Sequence, residues 1–377
     1  MNIAKCVNIA KRPASLAVEE RLVAKLRELL EGINWLGGWS LRRFSPAGDL
    51  GFDFLVKLPR PNGGKVELWV QCKNDPRPSQ FPYASVASEA KQPPVPVFAA
   101  PFISPRLAAV CAEHGWSWFD LAGNCLIDVP GVLRLERAGQ SPVHARPRPS
   151  ANLGTAAAAR LIRALLAPEH AGMRWTHQAL KRECQPEVSL GLVNKVVRHL
   201  RDESYVEYLP LPEEGLRVRD PLGLLAAWRE AYRFDRHERR GYFTLLQGKR
   251  LQEALARLDA RADGFAAYAA FSAADFQAPH VRQPKTWLFV PARHLMLFER
   301  LAEAKPVNSG ENVVVLIPDD EGVFFLGEGG RMGEHRLRCT NTVQTYVDLC
   351  HCGGRGEEAA EALLNQRLKP EWKRRGL

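Results

Sequence analysis

The segment SLGLVNKVVRHLRDE, residues 189–203, decides the fold of this 377-residue chain. Ser189 is a favoured N-cap residue, so we expect a helix to begin directly after it. Apolar residues then recur at spacings of three and four, which places them on one helix face: Leu190, Val193, Val197 and Leu200. The opposite face carries a small residue, an amide and three cations: Gly191, Asn194, Lys195, Arg198 and Arg201.

The regions on both sides of this helix extend the pattern. An alanine-rich helix is predicted over residues 155–167 and a short helix over residues 175–184. After residue 203, the turn-forming stretch PEEG separates two predicted strands, residues 205–211 and 216–219. Helix, short helix, capped helix and hairpin, in this order, predict a winged helix-turn-helix over residues 154–221.

Such a module predicts two kinds of contact with double-stranded DNA. Amides and cationic side chains read base edges in the major groove, and small residues allow close approach. We therefore expect base contacts from Ser189, Asn194, Lys195 and Arg198. Cations at the end of the short helix and in the hairpin are expected to hold phosphates: Lys181, Arg182, Arg217 and Arg219.

The local charge balance leaves a second interpretation open. Several of these cations are offset by four nearby acids: Glu183, Glu187, Asp202 and Glu203. A structural three-helix module with solvated charges would show the same pattern. Winged helices also serve as protein-interaction modules, so DNA is the favoured partner but not the only one to consider.

The whole chain is basic and otherwise of ordinary globular composition. Its formal net charge is +10, which favours polyanionic partners without specifying a fold. The eight cysteines are scattered and form no CxxC pair, so we expect reduced thiols rather than disulfides. The first residues lack the apolar stretch of a signal peptide, and no apolar run approaches the roughly 20 residues of a membrane span. These features predict a cytoplasmic protein.

The domain organisation is expected to be mixed α/β, or α+β, with several domains. Residues 1–136 are expected to form an α/β domain with a helix over residues 15–31 and a second helix that Ser104 caps. Its predicted strands are residues 39–44, 52–58, 65–73, 95–99, 116–120 and 124–129. Residues 137–153 are polar, basic and proline-containing, which is typical of a linker.

A C-terminal α/β domain is expected over residues 222–377. Residues 222–260 are rich in arginine and are predicted to be helical. Further along the chain, strands are predicted at residues 313–318 and 323–326, around a DDEG turn, and helices at residues 341–349 and 357–366.

The N-terminal domain contains a second candidate site. The turn formers in PRPNGG predict a hairpin that turns near residues 61–62, which would place Asp53 across from Gln71. Gln71, Lys73 and Glu67 share one strand face because they are two or four residues apart. An acid, an amide and a lysine at one sheet end resemble the core of PD-(D/E)xK nucleases, and the Mrr-like branch of restriction endonucleases is similar in using Gln for the second acid.

What this resemblance implies is a restriction-endonuclease-like domain that holds Mg²⁺ through Asp53 and Gln71, with Lys73 helping to position or activate water. The sequence departs from the family pattern because no proline precedes Asp53 and because Gln71 is a neutral ligand. An acid from the first helix, Glu19 or Glu20, is a further ligand candidate. The alternatives are an exposed amphipathic hairpin, and a nuclease-like fold with a decayed site that serves as a docking platform.

Four further segments carry a resemblance to a second family. They are SWFDLAGNCLIDVPG (residues 117–131), DPLGLLAAWREAY (220–232), VNSGENVVVLIPDDEGVF (307–324) and NTVQTYVDLCHCGGRGEEAAEALL (341–364). With the winged-helix segment, they resemble the AbiEi family, antitoxin-like regulators of bacterial type IV toxin–antitoxin systems. The family implies binding to repeats in the protein's own promoter, repression of the operon, and a neighbouring gene for a nucleotidyltransferase-like toxin that the antitoxin need not contact. The additional domain before the winged helix departs from the shortest family members.

The sequence therefore predicts a sequence-specific DNA-binding regulator, with double-stranded DNA as partner, a role in phage defence, and a homodimer left open. It predicts no cofactor unless the N-terminal site is active, in which case Mg²⁺ is required. A Mg²⁺-dependent endonuclease directed by the winged helix is the enzyme alternative, and a protein-interaction scaffold of a defence system is the third.

Overall fold

The protein is a mixed α/β chain in a computed structural model that describes residues 13–44, 51–61, 63–82, 93–142, 151–210, 214–327 and 337–376. The chain divides into two compact units, Met1–Arg148 and Pro149–Leu377. Within the described residues, none of the helices combines the length and the apolar character that a membrane crossing needs.

The first unit is built on a seven-stranded mixed sheet whose strands lie in chain order. The first three strands are antiparallel, the third to fifth are parallel, and the last three are antiparallel again. The elements are α1 (Pro13–Glu31), β1 (Ser40–Arg43), β2 (Phe54–Pro59), β3 (Lys65–Cys72), β4 (Val95–Ala100), α2 (Pro105–Glu113), β5 (Ser117–Asp120), β6 (Cys125–Val129) and β7 (Leu133–Arg137).

Two apolar clusters cover the faces of this sheet. Alternate residues of β2 and β3 point to one face, where they pack with Leu22, Leu26 and other leucines of α1. Phe98 and Trp118 belong to the second cluster, which includes the buried side of α2. The six predicted strands and both predicted helices are confirmed to within two residues at their ends, whereas β7 was not predicted.

The second unit begins with three helices and a two-stranded hairpin. The elements are α3 (Ala156–Leu166), α4 (His177–Glu183), α5 (Leu190–Asp202), β8 (Val206–Leu209) and β9 (Gly215–Val218). The side chains of Thr155, Thr176 and Ser189 cap the three helices by accepting backbone N–H bonds. Trp175 also pairs with Leu216 of β9 in an isolated antiparallel bridge, so the hairpin is tied to the chain just before α4.

The rest of the second unit is built around a five-stranded sheet of order β11-β12-β14-β10-β13. Its strands are β10 (Glu238–Phe243), β11 (Ala267–Tyr268), β12 (Thr286–Phe289), β13 (Lys305–Pro306) and β14 (Val313–Ile317), and its helices are α6 (Pro221–Ala231), α7 (Gly248–Arg261), α8 (Ala270–Gln277), α9 (Leu295–Leu301), α10 (Thr342–His351), α11 (Gly356–Leu363) and α12 (Lys369–Arg374). One apolar cluster runs from residue 151 to residue 372, so α3–α5 share a core with this region.

Two predictions for this region are wrong. Residues 222–260 are not helical throughout, because β10 interrupts them: it pairs antiparallel with β14 and buries Tyr242 completely. Residues 323–326 do not form a strand, since Glu321–Phe324 is a 3₁₀ turn. Gly322 in that turn approaches α3 so closely that a Cβ would lie 2.9 Å from Arg163 Nη1.

Candidate nucleic-acid interface

Helix α5 presents the polar face that the sequence predicted. Its apolar side is buried at Val193, Val196, Val197 and Leu200. The Ser189 hydroxyl accepts a bond from Leu192 N at 3.2 Å and so fixes where the helix begins. Asn194, Lys195 and Arg198 are exposed on the other side, which leaves them available to a partner.

Two of the three cations of this face are not neutralised, whereas Arg201 lies 4.0 Å from Asp202. Neither Lys195 nor Arg198 forms an ion pair or a side-chain hydrogen bond with any residue that the structure describes. An unpaired, hydrated cation can neutralise a phosphate or reach a base edge without first breaking a bond to a carboxylate. This pair is therefore the most accessible basic group on α5.

Two of the four predicted phosphate-binding cations already have acidic partners. Lys181 Nζ lies 2.5 Å from Glu187 Oε1, and hydrogen bonding to Lys181 lowers the pKa of Glu187. Across the hairpin, Arg217 Nη2 lies 2.7 Å from Glu207 Oε1. Both pairs are substantially exposed, so they are weak, but each reduces the net charge available for a polyanion.

The other two predicted phosphate-binding cations are exposed. Arg182 lies in the last turn of α4 and has no ion-pair partner among the described residues. Arg219 follows β9, and its backbone N–H donates to Tyr205 O at 2.8 Å. The sequence did not distinguish the paired Lys181 and Arg217 from Arg182, Lys195 and Arg198, which have no ion-pair partner among the described residues.

A small cleft of about 310 Å³ lies between α4, α5 and β8. The His177 side chain closes one side of it, with Nδ1 hydrogen-bonded to Asn194 Oδ1 and Nε2 hydrogen-bonded to the Tyr208 hydroxyl. Arg198 and Arg201 contribute cations to the same cleft, and the buried Val197 lies at its base. The predicted base-reading amide is therefore held by His177, which is itself held by Tyr208, and the sequence singled out neither residue.

Arg160 of α3 links the turn between α4 and α5 to Asp320. Its Nη2 lies 2.6 Å from Asp320 Oδ1, and its Nη1 donates to Pro186 O at 3.2 Å. Asp320 is 8% exposed and lies in the turn after β14. One arginine thus joins the turn before α5 to the sheet region of the same unit.

A buried polar network continues from this point. Arg163 of α3 is 2% exposed, and its Nε donates to Gln344 Oε1 at 2.5 Å. Gln344 Nε2 donates to Asp348 Oδ1, which also accepts from the Tyr232 hydroxyl. Burial raises the pKa of Asp348 to about 7. For His237, which bonds to Tyr232, burial is the main cause that lowers the pKa to about 4.

The N-terminal candidate residues lie in the first unit. Pro59 pairs with Lys65, so the hairpin turns where the sequence predicts, and Phe54 pairs with Val70. The next pair in this register is Asp53 and Gln71. Asp53 Oδ2 accepts a hydrogen bond from Cys72 N at 2.6 Å, and Gln71 Nε2 donates one to Gly51 O at 2.8 Å. Both side chains thus lie at the same end of the β2–β3 pair.

The side-chain environment there is incomplete as a metal site. Gln71 Oε1 is buried and has no hydrogen-bond partner among the described residues. Lys73 is exposed beyond the end of β3. Glu67 is used elsewhere, since it pairs with Lys57 at 2.8 Å, and that contact is the main cause that lowers the pKa of Glu67. In the parts of the chain that the structure describes, no three His, Cys, Asp or Glu side chains are grouped to hold a metal ion.

The two acids of the first helix differ in their surroundings, and Glu19 is only 4% exposed. Glu20 lies 3.8 Å from Arg43, and the leucines of α1 pack on the sheet face that buries Phe54 and Val56. A cation at this sheet end would rest on Asp53 and Gln71.

Comparisons with protein-family models, with curated proteins and with solved structures found no match to this chain. Its function is therefore inferred from its own residues.

Proposed function

We propose that this chain is a sequence-specific regulator that binds double-stranded DNA through a winged helix-turn-helix over residues 154–221. The order of α3, Trp175, α4, α5, β8 and β9 supports this assignment, because Trp175 pairs with Leu216 of the hairpin through an isolated bridge. The observation that carries the proposal is the exposed face of α5, where Lys195 and Arg198 have no acidic partner among the described residues.

In this proposal α5 enters the major groove, where Ser189, Asn194, Lys195 and Arg198 face the base edges. Arg182, which has no ion-pair partner among the described residues, binds phosphate directly, and Arg219 after β9 is a further phosphate contact. Lys181 and Arg217 do so only after they exchange Glu187 and Glu207 for phosphate, which lowers their contribution to affinity.

We further propose that the regulator is an AbiEi-like antitoxin that represses its own operon in the cytoplasm by binding promoter repeats. The support is the sequence resemblance: one of its four segments forms β5 and β6 of the first unit, and the other three form α6, β14 with the turn after it, and α10–α11. These last three segments supply Asp320, Tyr232, Gln344 and Asp348 to the buried network. In this proposal residues 222–377 are a C-terminal domain that holds the winged helix in place.

The experiment that tests this function is binding to the DNA upstream of the protein's own gene. We expect the full chain to shift this fragment in an electrophoretic mobility assay at concentrations that leave an unrelated fragment of equal length unbound. A reporter behind the same promoter is expected to fall when the chain is expressed. Equal affinity for both fragments, or none for either, would reject a sequence-specific regulator.

A second candidate function is a Mg²⁺-dependent DNA endonuclease, with residues 1–136 as a restriction-endonuclease-like domain. The buried, unbonded Gln71 Oε1 beside Asp53 favours it, because an amide and a carboxylate oxygen suit a hard divalent cation. When bound, Mg²⁺ would stabilise charge on the phosphate. Asp53 and Gln71 would hold the ion, and Lys73 would orient water if its side chain turns towards them.

Cleavage assays distinguish this second candidate. If it is correct, plasmid DNA is nicked or cut when Mg²⁺ is added, and the activity disappears in both Asp53→Ala and Lys73→Ala. Lys65→Ala is a matched control, since Lys65 lies at the opposite end of β3. Intact plasmid after incubation with Mg²⁺ or Mn²⁺ leaves the regulator as the proposed function.

A further inference from the structure

His177 connects three elements of the module at the position of its predicted base-reading amide. It is the first residue of α4, Asn194 lies in the middle of α5, and Tyr208 lies in β8. The two contacts span 17 and 31 residues of sequence. Asn194 and Tyr208 are exposed and His177 is half-buried, so this chain of contacts lies at the surface, next to the cations Arg198 and Arg201.

The chemistry of the three groups determines which atom donates in each bond. Asn194 Oδ1 is a carbonyl oxygen and can only accept, so His177 Nδ1 carries the proton and donates it. In the neutral imidazole, Nε2 is then an acceptor, and the Tyr208 hydroxyl donates to it. The hydroxyl of the hairpin therefore favours the tautomer that holds the amide of α5.

Fixing the amide in this way has a consequence for DNA reading. One lone pair of Oδ1 is engaged by His177, and the amide is oriented so that its Nδ2 group remains to donate. In the major groove, N7 of purines, O6 of guanine and O4 of thymine are acceptors, while cytosine N4 is a donor. An amide that could rotate freely would exchange its oxygen and nitrogen and lose this distinction.

We infer that His177, held by Tyr208, is a positioning residue that sets the base preference of Asn194. The inference rests on the proposed function, because it requires α5 to lie in the major groove. His177 does not need to touch DNA itself. It acts through the orientation of the amide, so its effect is confined to the base pair that Asn194 contacts.

The test measures base preference as well as affinity. The binding site in the DNA upstream of the protein's own gene is first located by DNase footprinting. Binding of the full chain is then measured to this DNA and to a set of fragments in which each base pair of the footprint is changed in turn. We expect His177→Ala to lose about tenfold in discrimination at one base pair, the same one that Asn194→Ala affects, while the other positions are unchanged. Tyr208→Phe, which removes a single oxygen, is expected to cause a smaller loss at that base pair.

The matched control is Gln178→Ala, the next residue of α4, which is exposed and makes no side-chain bond within the described part of the chain. It is expected to retain the wild-type profile. Wild-type preference at every position in His177→Ala would overturn the inference while leaving the proposed function in place. An even loss of affinity at all positions in His177→Ala and Tyr208→Phe would also overturn it, since that is the result of a purely structural role. Failure of the unaltered chain to bind the fragment would reject the proposed function, and the inference with it.

Discussion

Helices α3 and α5 each carry two basic residues three positions apart, and the two pairs have opposite surroundings. Arg160 and Arg163 of α3 lie against Asp320, at 2.6 Å and 3.8 Å respectively. Lys195 and Arg198 of α5 are exposed, and neither has an acidic partner among the described residues. The spacing along the helix is the same, so it does not reveal which pair is available to bind a polyanion.

The difference shows what each pair contributes. A cation that is hydrogen-bonded on several sides fixes the position of the groups around it, as Arg160 does for Asp320 and the turn carbonyl of Pro186. An exposed cation without a partner adds little to stability and is available to phosphate or base. We therefore assign stability and placement of α5 to the α3 pair, and DNA binding to the α5 pair.

Breaking the α3 pair is expected to give the largest effect. Asp320→Ala leaves Arg163 buried without its carboxylate partner, and loss of one member of a buried pair costs about 3–5 kcal/mol. Urea unfolding followed by circular dichroism measures the loss. The matched control is Glu321→Ala, which removes a more exposed partner of Arg293 and is expected to cost at most about 1 kcal/mol. Similar losses in the two variants would contradict the role assigned to Asp320.

The α5 pair is expected to show the reverse behaviour. Lys195→Ala combined with Arg198→Ala should leave the free energy of unfolding within about 0.5 kcal/mol of the wild-type value, because both side chains are exposed. Affinity for the upstream DNA should fall at least about tenfold, since each good base contact contributes roughly 1–3 kcal/mol. Fluorescence anisotropy with a labelled fragment measures this. If this double variant is destabilised but binds the upstream DNA with wild-type affinity, the α5 pair has a structural role and the assignment of DNA binding to it is contradicted.

The buried network behind α3 is expected to be sensitive to pH through Asp348. Its pKa of about 7 in the folded protein lies above the value of about 4 in the unfolded chain, so the folded state binds the extra proton between these values. The stability that this proton contributes is complete below about pH 4 and is lost as the pH rises to about 7. The free energy of unfolding of the wild type, relative to Asp348→Asn, should therefore fall by up to about 1.4 kcal/mol per pH unit over this range.

This difference between variants isolates Asp348 from its neighbour. His237 has a lowered pKa, so its own contribution is present above about pH 6.5 and lost as the pH falls towards 4. That contribution is common to wild type and variant and cancels in the comparison. Unfolding curves recorded from pH 4 to 7 provide the test, and a difference that does not change with pH would mean that Asp348 is ionised throughout.

The smallest effect is expected at the paired cations beside α5. Glu187→Gln and Glu207→Gln release Lys181 and Arg217 from exposed ion pairs, which are worth at most about 1 kcal/mol. Affinity for DNA should rise by less than about tenfold in each variant, because a carboxylate that competes with phosphate has been removed. Anisotropy titrations at low salt are the measurement. A fall in affinity would show that these acids position the cations for binding.

The sequence predicts those features that depend on local spacing. The Ser189 cap and the buried side of α5 follow from residues within two helical turns, and the β2–β3 hairpin follows from its turn residues. The strand β10 was missed because an arginine-rich segment with few apolar residues gives no strand signal. Its pairing with β14, about 75 residues away, determines its conformation.

The candidate site was predicted less completely for the same reason. The spacing identified Asn194, Lys195 and Arg198 as one face, but the contacts of Asn194 with His177 and of His177 with Tyr208 arise only when three elements pack together. Likewise, the sequence did not reveal that Arg160 joins Asp320 to the turn before α5, because these residues are 160 positions apart.

The salt dependence of DNA binding tests most directly whether the exposed pair on α5, rather than the acid-paired Lys181 and Arg217, holds the DNA. Affinity of the full chain for its upstream DNA is measured at several salt concentrations, and the slope of log affinity against log salt is compared among variants. Combined Lys195→Ala and Arg198→Ala should reduce the magnitude of the slope by up to about 2, whereas combined Lys181→Ala and Arg217→Ala should change it less. Equal slopes for the wild type and the α5 variant would contradict the central claim that the exposed face of α5 holds the DNA.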